Sequence, residues 1–175
     1  MWKWHNGSNT TNNSKTCSIF CNITNNGVAI SAAPTIKNNM KLTEHFSFEE
    51  LIHSEQAKQR GIYNVPDAEQ AACIALLAAN VLEPARQEYG HPIEVTSGYR
   101  SERLNKVVGG KPNSQHMRGQ AADLQADNLD KLYEIIQAQG NYDQLLLESN
   151  GKSKWIHVSY NPDGNRGVAN KNYKA

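Results

Sequence analysis

The sequence predicts an α+β domain in which helices pack on an antiparallel sheet. Three observations predict it. Stretches with helical apolar spacing and clear start signals come early in the folded region. Stretches that alternate every second residue come mostly later. Two of those late stretches, "DQLLLES" and "KWIHVSY", are joined through Asn150-Gly151, a dipeptide that favours hairpin turns.

The first element follows "MKLTEHFSFEELIHS". Ser47 and Glu50 have the spacing of a capping box, and Phe46 can staple onto Leu51. A longer helix follows "VPDAEQ". Asp67 stands at its start and Gly90 at its end, and Pro84 kinks or shortens it. Its apolar residues Ile74, Leu77, Ala78, Val81 and Leu82 share one face and are read as core. "IEVTSGY" alternates as a strand, "RSERLNKVVGG" is a short helix with glycines behind it, and "GQAADLQA" is a strand of small residues. "NLDKLYEIIQAQG" carries Leu129, Leu132, Ile135 and Ile136 at helical spacing and stops at Gly140. The two strands of the hairpin come last. No internal repeat occurs.

Composition sets the boundary of this domain. The chain has 175 residues, 18 basic and 17 acidic side chains and a formal charge of +1, so charge gives no argument for nucleic acid or an acidic membrane surface. No apolar run is long enough to span a bilayer. Residues 1–39 contain 18 Asn, Ser or Thr and no acid, so they are expected to form a polar, mobile leader before a folded domain over 40–175 that starts at or near Met40. "CSIFCNITNNG" is interrupted too soon for a secretory signal, so the product is expected to be made in the cytoplasm. Three cysteines make no paired framework. Cys73, among alanines and leucines, is expected to be a buried thiol, and Cys17 with Cys21 is a weak metal pair. Oligomeric state leaves no trace in the sequence.

The chemistry gathers around "SQHMRGQAAD". His116 and Asp123 stand seven residues apart across a glycine and small residues, two metal-ligand types at the ends of a compact turn. A third ligand is found in "WIHVSY". Alternation puts Trp155, His157 and Ser159 on one face and Ile156 and Val158 on the other, the pattern of a strand that floors a cleft. His5, His45, His53 and His91 lie in the leader, at helix ends or before a proline, and are set aside. Two imidazoles and one carboxylate are a common protein ligand set for catalytic zinc, which keeps a fourth position open.

These residues also carry a resemblance. Ser114, His116, Gly119, Ala121 and Asp123 match the pattern Ser-x-His-x-x-Gly-x-Ala-x-Asp, with "SGYRS" upstream and "WIHVS" downstream. The chain thereby resembles the D-Ala-D-Ala carboxypeptidase family of zinc peptidases (peptidase family M15), over roughly residues 40–160, and within it the small phage and bacterial members. The resemblance implies a single domain of the fold shared with the hedgehog signalling domain. It implies one zinc on His116, Asp123 and His157, and peptidoglycan peptides as substrate. It implies that Arg100 contacts substrate and stabilises the oxyanion, and that Ser114 orients the first ligand loop or the substrate. The enzyme would meet the cell wall after release or in a phage context.

Arg100 also stands on its own chemistry. A permanently charged planar fork opposite a metal can hold a carboxylate or an oxyanion, although Arg103 and Arg118 are rivals in sequence. The general base departs from the pattern of several family members, which place an acid three residues before the last histidine. Here that residue is Lys154. Glu148 is the best replacement, with Gln144 and Asp143 as neighbours. A two-residue turn at Asn150-Gly151 would pair Glu148 with Ser153 and leave it about 13 Å along the strand from His157. A longer loop that pairs Glu148 with Trp155 brings it to roughly 7–8 Å, and the longer loop is expected. Two function classes follow. One is a zinc peptidase cutting a stem or cross-link bond, as a carboxypeptidase or an endolysin-type endopeptidase. The other is a non-catalytic zinc-bearing module that binds wall fragments or a protein, which Lys154 keeps open.

Overall fold

A computed structural model describes residues 40–174. The expected leader and the Cys17–Cys21 pair lie outside the described residues.

The capping box at the start forms as expected. The Ser47 hydroxyl accepts from the Glu50 N–H while the Glu50 carboxylate accepts from the Ser47 N–H, and α1 runs Phe48–Ile52. Phe46 and Leu51 are both buried in the same core. A one-turn helix α2, Glu55–Gln59, follows, which the sequence reading did not separate. Asp67 and Gln70 form a second reciprocal cap. From there the helix continues through α3 (Ala68–Leu77), a π-helical turn (Ala78–Leu82) and α4 (Glu83–Tyr89) to a left-handed Gly90. The wide turn precedes Pro84. A proline ring in a regular helix collides with a carbonyl one turn back and leaves it without a donor, and widening the turn relieves that conflict without ending the helix. All five residues of the expected apolar stripe are buried.

The strands are β1 (Glu94–Ser97), β2 (Ala121–Gln125), β3 (Gln144–Ser149), β4 (Lys154–Ser159) and β5 (Val168–Lys174), in sheet order β1-β2-β4-β3-β5. Helix α5 (Glu102–Val107) follows β1, and α6 (Leu129–Gln139) follows β2 and ends at left-handed Gly140. One face of the sheet, carrying Ala122, Leu124, Leu145, Leu147, Ile156 and Val158, packs with the helices into the main core. The other face is open and floors a cleft of ≈ 1270 Å³.

Three corrections arise. The sheet is antiparallel except at its edge, where β5 pairs parallel with β3. Strand β5 was not foreseen, because "VANKNYK" is polar and lacks apolar alternation, as suits an edge strand. Cys73 is half-buried rather than enclosed, and its thiol meets the Gln120 side chain.

Candidate metal centre

Sheet register alone brings two of the three candidate ligands together. Asp123 on β2 is paired directly with His157 on β4, and His157 in turn faces Leu146 on β3. On the outer side, an irregularity between Val95 and Ser97 shifts β1 so that Ser97 pairs with Asp123. Ser97, Asp123, His157 and Leu146 thus form a row across four strands on the cleft face.

His116 reaches this row from a 3-10 turn, Gln115–Arg118, that leads into β2. The turn is closed by Gly119, whose φ is +70°. A Cβ there would collide with the Gln70 carbonyl oxygen of α3, so both the backbone conformation and the packing require glycine. His116 Nδ1 lies 2.7 Å from the carbonyl oxygen of Gly98. A carbonyl only accepts, so Nδ1 carries the proton and Nε2 presents its lone pair to the cleft. Gly98 is itself pressed against α1, where an added Cβ would overlap the Leu51 carbonyl oxygen.

The three donor atoms converge. His116 Nε2 is 3.2 Å and His157 Nδ1 is 3.0 Å from Asp123 Oδ1, and the two ring nitrogens are 3.3 Å apart. Tetrahedral ligands at zinc bond lengths of about 2.0–2.1 Å are roughly 3.3–3.4 Å from one another. The triangle therefore fits a zinc ion with little adjustment, and its two nitrogens and one carboxylate oxygen suit that metal. All three residues are buried. Burial raises the Asp123 pKa, but the adjoining His116 and His157 rings outweigh it and hold the carboxyl well below the usual range. Glu44, His45 and Glu83 are a second group with ligand-type atoms near one another. There the Glu83 carboxylate is already occupied by the His45 ring and backbone N–H, Gln87 and Thr43, which hold its pKa at about 2 against the opposing effect of burial.

Arg100 is drawn into the site. Its Nη2 donates to Asp123 Oδ2 at 2.5 Å and its Nε to Ser97 Oγ at 2.9 Å. The oxygen that faces the imidazoles and the oxygen that faces the guanidinium are thus different atoms of one carboxylate. Arg100 also lines the cleft, as does Arg118, one of its rivals. Arg118 instead points its Nε at Gln120. Ser114 precedes the His116 turn and lines the cleft, and its side chain caps no backbone N–H.

The hairpin adopts the longer loop. Glu148 pairs with Trp155 and Ser149 with Lys154, leaving residues 150–153 as the connection. The Asn150 side chain explains the extra length, because its Oδ1 accepts from the N–H groups of both Lys152 and Ser153. Glu148, Trp155 and His157 line the same cleft. Lys154 is exposed at the strand's start, with Ile156 and Val158 continuing its side of the strand into the core.

Asp143 is differently placed. It is 1% exposed. Its Oδ1 accepts from the Arg166 backbone N–H and Nε, both at 2.9 Å, and its Oδ2 accepts from Arg166 Nη2 and Gln115 Nε2. These bonds, Arg166 foremost, hold its carboxyl at about 2. The residue fastens the segment crossing from β4 to β5 and, through Gln115, the turn that carries His116. Gln115, Arg166, Ser97 and Gly98 were missed as site residues. Gln115 lies inside "SQHMRGQAAD", and Ser97 and Gly98 inside "SGYRS", whereas Arg166 lies in no motif.

The family model described as Peptidase M15 matches residues 44–159, which include every candidate site residue and end before β5. No curated protein matches the chain.

Proposed function

The chain belongs to the peptidase M15 family, and from that premise we propose that it is a zinc metallopeptidase that hydrolyses a peptide bond in the stem or cross-link peptides of peptidoglycan. The observation that carries this reading is the buried triangle of His116 Nε2, Asp123 Oδ1 and His157 Nδ1 on the floor of an open cleft. These three residues would hold the zinc, which when bound supplies a Lewis acid that acidifies water and polarises a carbonyl.

The chain's own residues account for the remaining chemistry. Glu148 takes the proton of the attacking water as its oxygen forms a bond to the scissile carbonyl carbon. It delivers that proton to the leaving nitrogen as the carbon–nitrogen bond breaks. Arg100 uses two of its donors on Ser97 and Asp123 and turns those that remain toward the developing oxyanion. Ser114, beside the His116 turn and lining the cleft, orients that ligand loop or the substrate.

Lys154 stands where several family members place an acid, which favours a second reading, a zinc-bearing module that binds wall fragments without cutting them. Incubating zinc-loaded protein with muropeptides, with and without a chelator, separates the two. The peptidase reading expects chelator-sensitive release. Free D-alanine marks a carboxypeptidase, and new internal termini mark an endopeptidase. Intact muropeptides after incubation with the zinc-loaded protein support the binding module.

A further inference from the structure

Arg100 is held by a residue far from it in sequence. Asn64 lies between α2 and α3 in an irregular stretch whose neighbours Tyr63 and Val65 are 79% and 50% exposed. Its own side chain turns inward. Oδ1 accepts from the Ser101 N–H at 2.7 Å, and Nδ2 donates to the carbonyl oxygens of Ile52 at 2.9 Å and Tyr99 at 3.2 Å. The Tyr99 carbonyl and the Ser101 N–H are the backbone groups on either side of Arg100. One primary amide therefore brackets Arg100, and the Ile52 carbonyl ties that bracket to the end of α1. The Arg100 N–H itself donates to the His116 carbonyl at 3.2 Å.

The chemistry of the bracket specifies asparagine. The position needs two donors and one acceptor within a single short side chain. Aspartate has the same shape but would set a carboxylate oxygen against two carbonyl oxygens. Alanine would leave three backbone groups without their partner.

We propose that Asn64 is a positioning residue of the metal centre: by fixing the backbone on both sides of Arg100 it aims the guanidinium at Asp123 Oδ2 and so holds Asp123 Oδ1 in the ligand triangle. This rests on the reading of His116, Asp123 and His157 as a zinc site, but not on peptide hydrolysis.

The test is a double-mutant cycle read as zinc affinity, by competition of the full-length protein with a chromophoric chelator. Outer-shell partners of metal ligands typically contribute about 10–100-fold in affinity. N64A is expected to weaken zinc binding by about 10-fold in the wild-type background and by less than about twofold when Arg100→Ala is already present. N64D should weaken it at least as much as N64A. Melting of the zinc-free variants establishes that they fold, and N64S carries the same cycle if N64A does not. A merely structural role for Asn64 would act alike in both backgrounds. Equal losses in the two backgrounds, or unchanged affinity in folded N64A, overturn the proposal. A wild-type protein that binds no zinc overturns it together with the zinc-site reading. A protein that shows the expected cycle but cleaves no muropeptide upholds Asn64 and refutes the peptidase reading alone.

Discussion

Two carboxylates stand at opposite ends of β3, and they are held in opposite ways. Asp143, just before the strand, is buried and accepts four hydrogen bonds, three from Arg166 and one from Gln115. Glu148, near the strand's far end, is half-buried on the cleft face, and no hydrogen bond or ion pair engages its carboxylate among the described residues. The difference separates architecture from chemistry. A carboxylate whose lone pairs are filled by a guanidinium has its pKa driven down and cannot relay a proton near neutrality. Asp143 therefore works as a rivet for the β4-to-β5 crossing and the His116 turn. A carboxylate that exchanges a proton between water and a leaving amine must be unencumbered, as Glu148 is, and Glu148 lines the same cleft as His157. Both residues are candidate bases on sequence alone, and the hydrogen-bond pattern favours Glu148 over Asp143 as the proposed base.

The sharpest way to break this comparison is Glu148→Gln, which keeps size and polarity but cannot take a proton. Its kcat on muropeptides should fall by roughly 10²–10⁴ while one zinc stays bound. A Glu148→Gln enzyme that cleaves at the wild-type rate would return the base to solvent or substrate. Asp143→Asn should do the reverse. It loses the charge-assisted bonds to Arg166 and is expected to cost about 1–3 kcal/mol of stability, a fall in Tm of about 2–4 °C per kcal/mol for a chain of this size. Once folded, it should retain kcat within tenfold. A thermal melt and a steady-state assay of the same preparation check both halves.

Acid titration sharpens the contrast further. Because Asp143 is depressed from the ordinary carboxylate value of 3.8 to about 2, its stabilising contribution is fully present above about pH 4. It is lost as the pH falls through about 2, where the folded state takes up the proton. Metal-free wild-type protein should therefore lose stability over that window more steeply than metal-free Asp143→Asn. Equal slopes in denaturant melts at pH 2–4 would show that the pair contributes nothing. Lys154→Ala should have the smallest effect, within about 0.5 kcal/mol of stability, as for ordinary surface substitutions. Its kcat should be unchanged, because the residue is exposed and off the Trp155–His157 side of the strand.

The contrast also explains what the sequence could reveal. Local chemistry was legible: the Ser47–Glu50 box, the Asp67 cap, the glycine stops at 90 and 140, and the alternation that puts His157 on the cleft face all depend on residues a few positions apart. The β3–β4 register was reachable because only one of two loop lengths brings Glu148 near His157, and Asn150 accommodates the longer one. Long-range polar pairing was not legible. Asn64 meets Ser101 across 37 positions and Asp143 meets Gln115 across 28, with no periodic signal to announce either. Strand β5 escaped for the same reason. Its place beside β3 is secured by backbone pairing and by the Asp143–Arg166 anchor before it.

The central claim is that His116, Asp123 and His157 form one zinc site on which all the chemistry depends. Metal analysis of purified wild-type protein beside His116→Ala, Asp123→Ala and His157→Ala tests it most directly. One zinc per chain is expected in the wild type, with each variant losing the metal to a chelator concentration that leaves the wild type loaded. Full zinc occupancy in all three variants under that challenge would contradict the assignment.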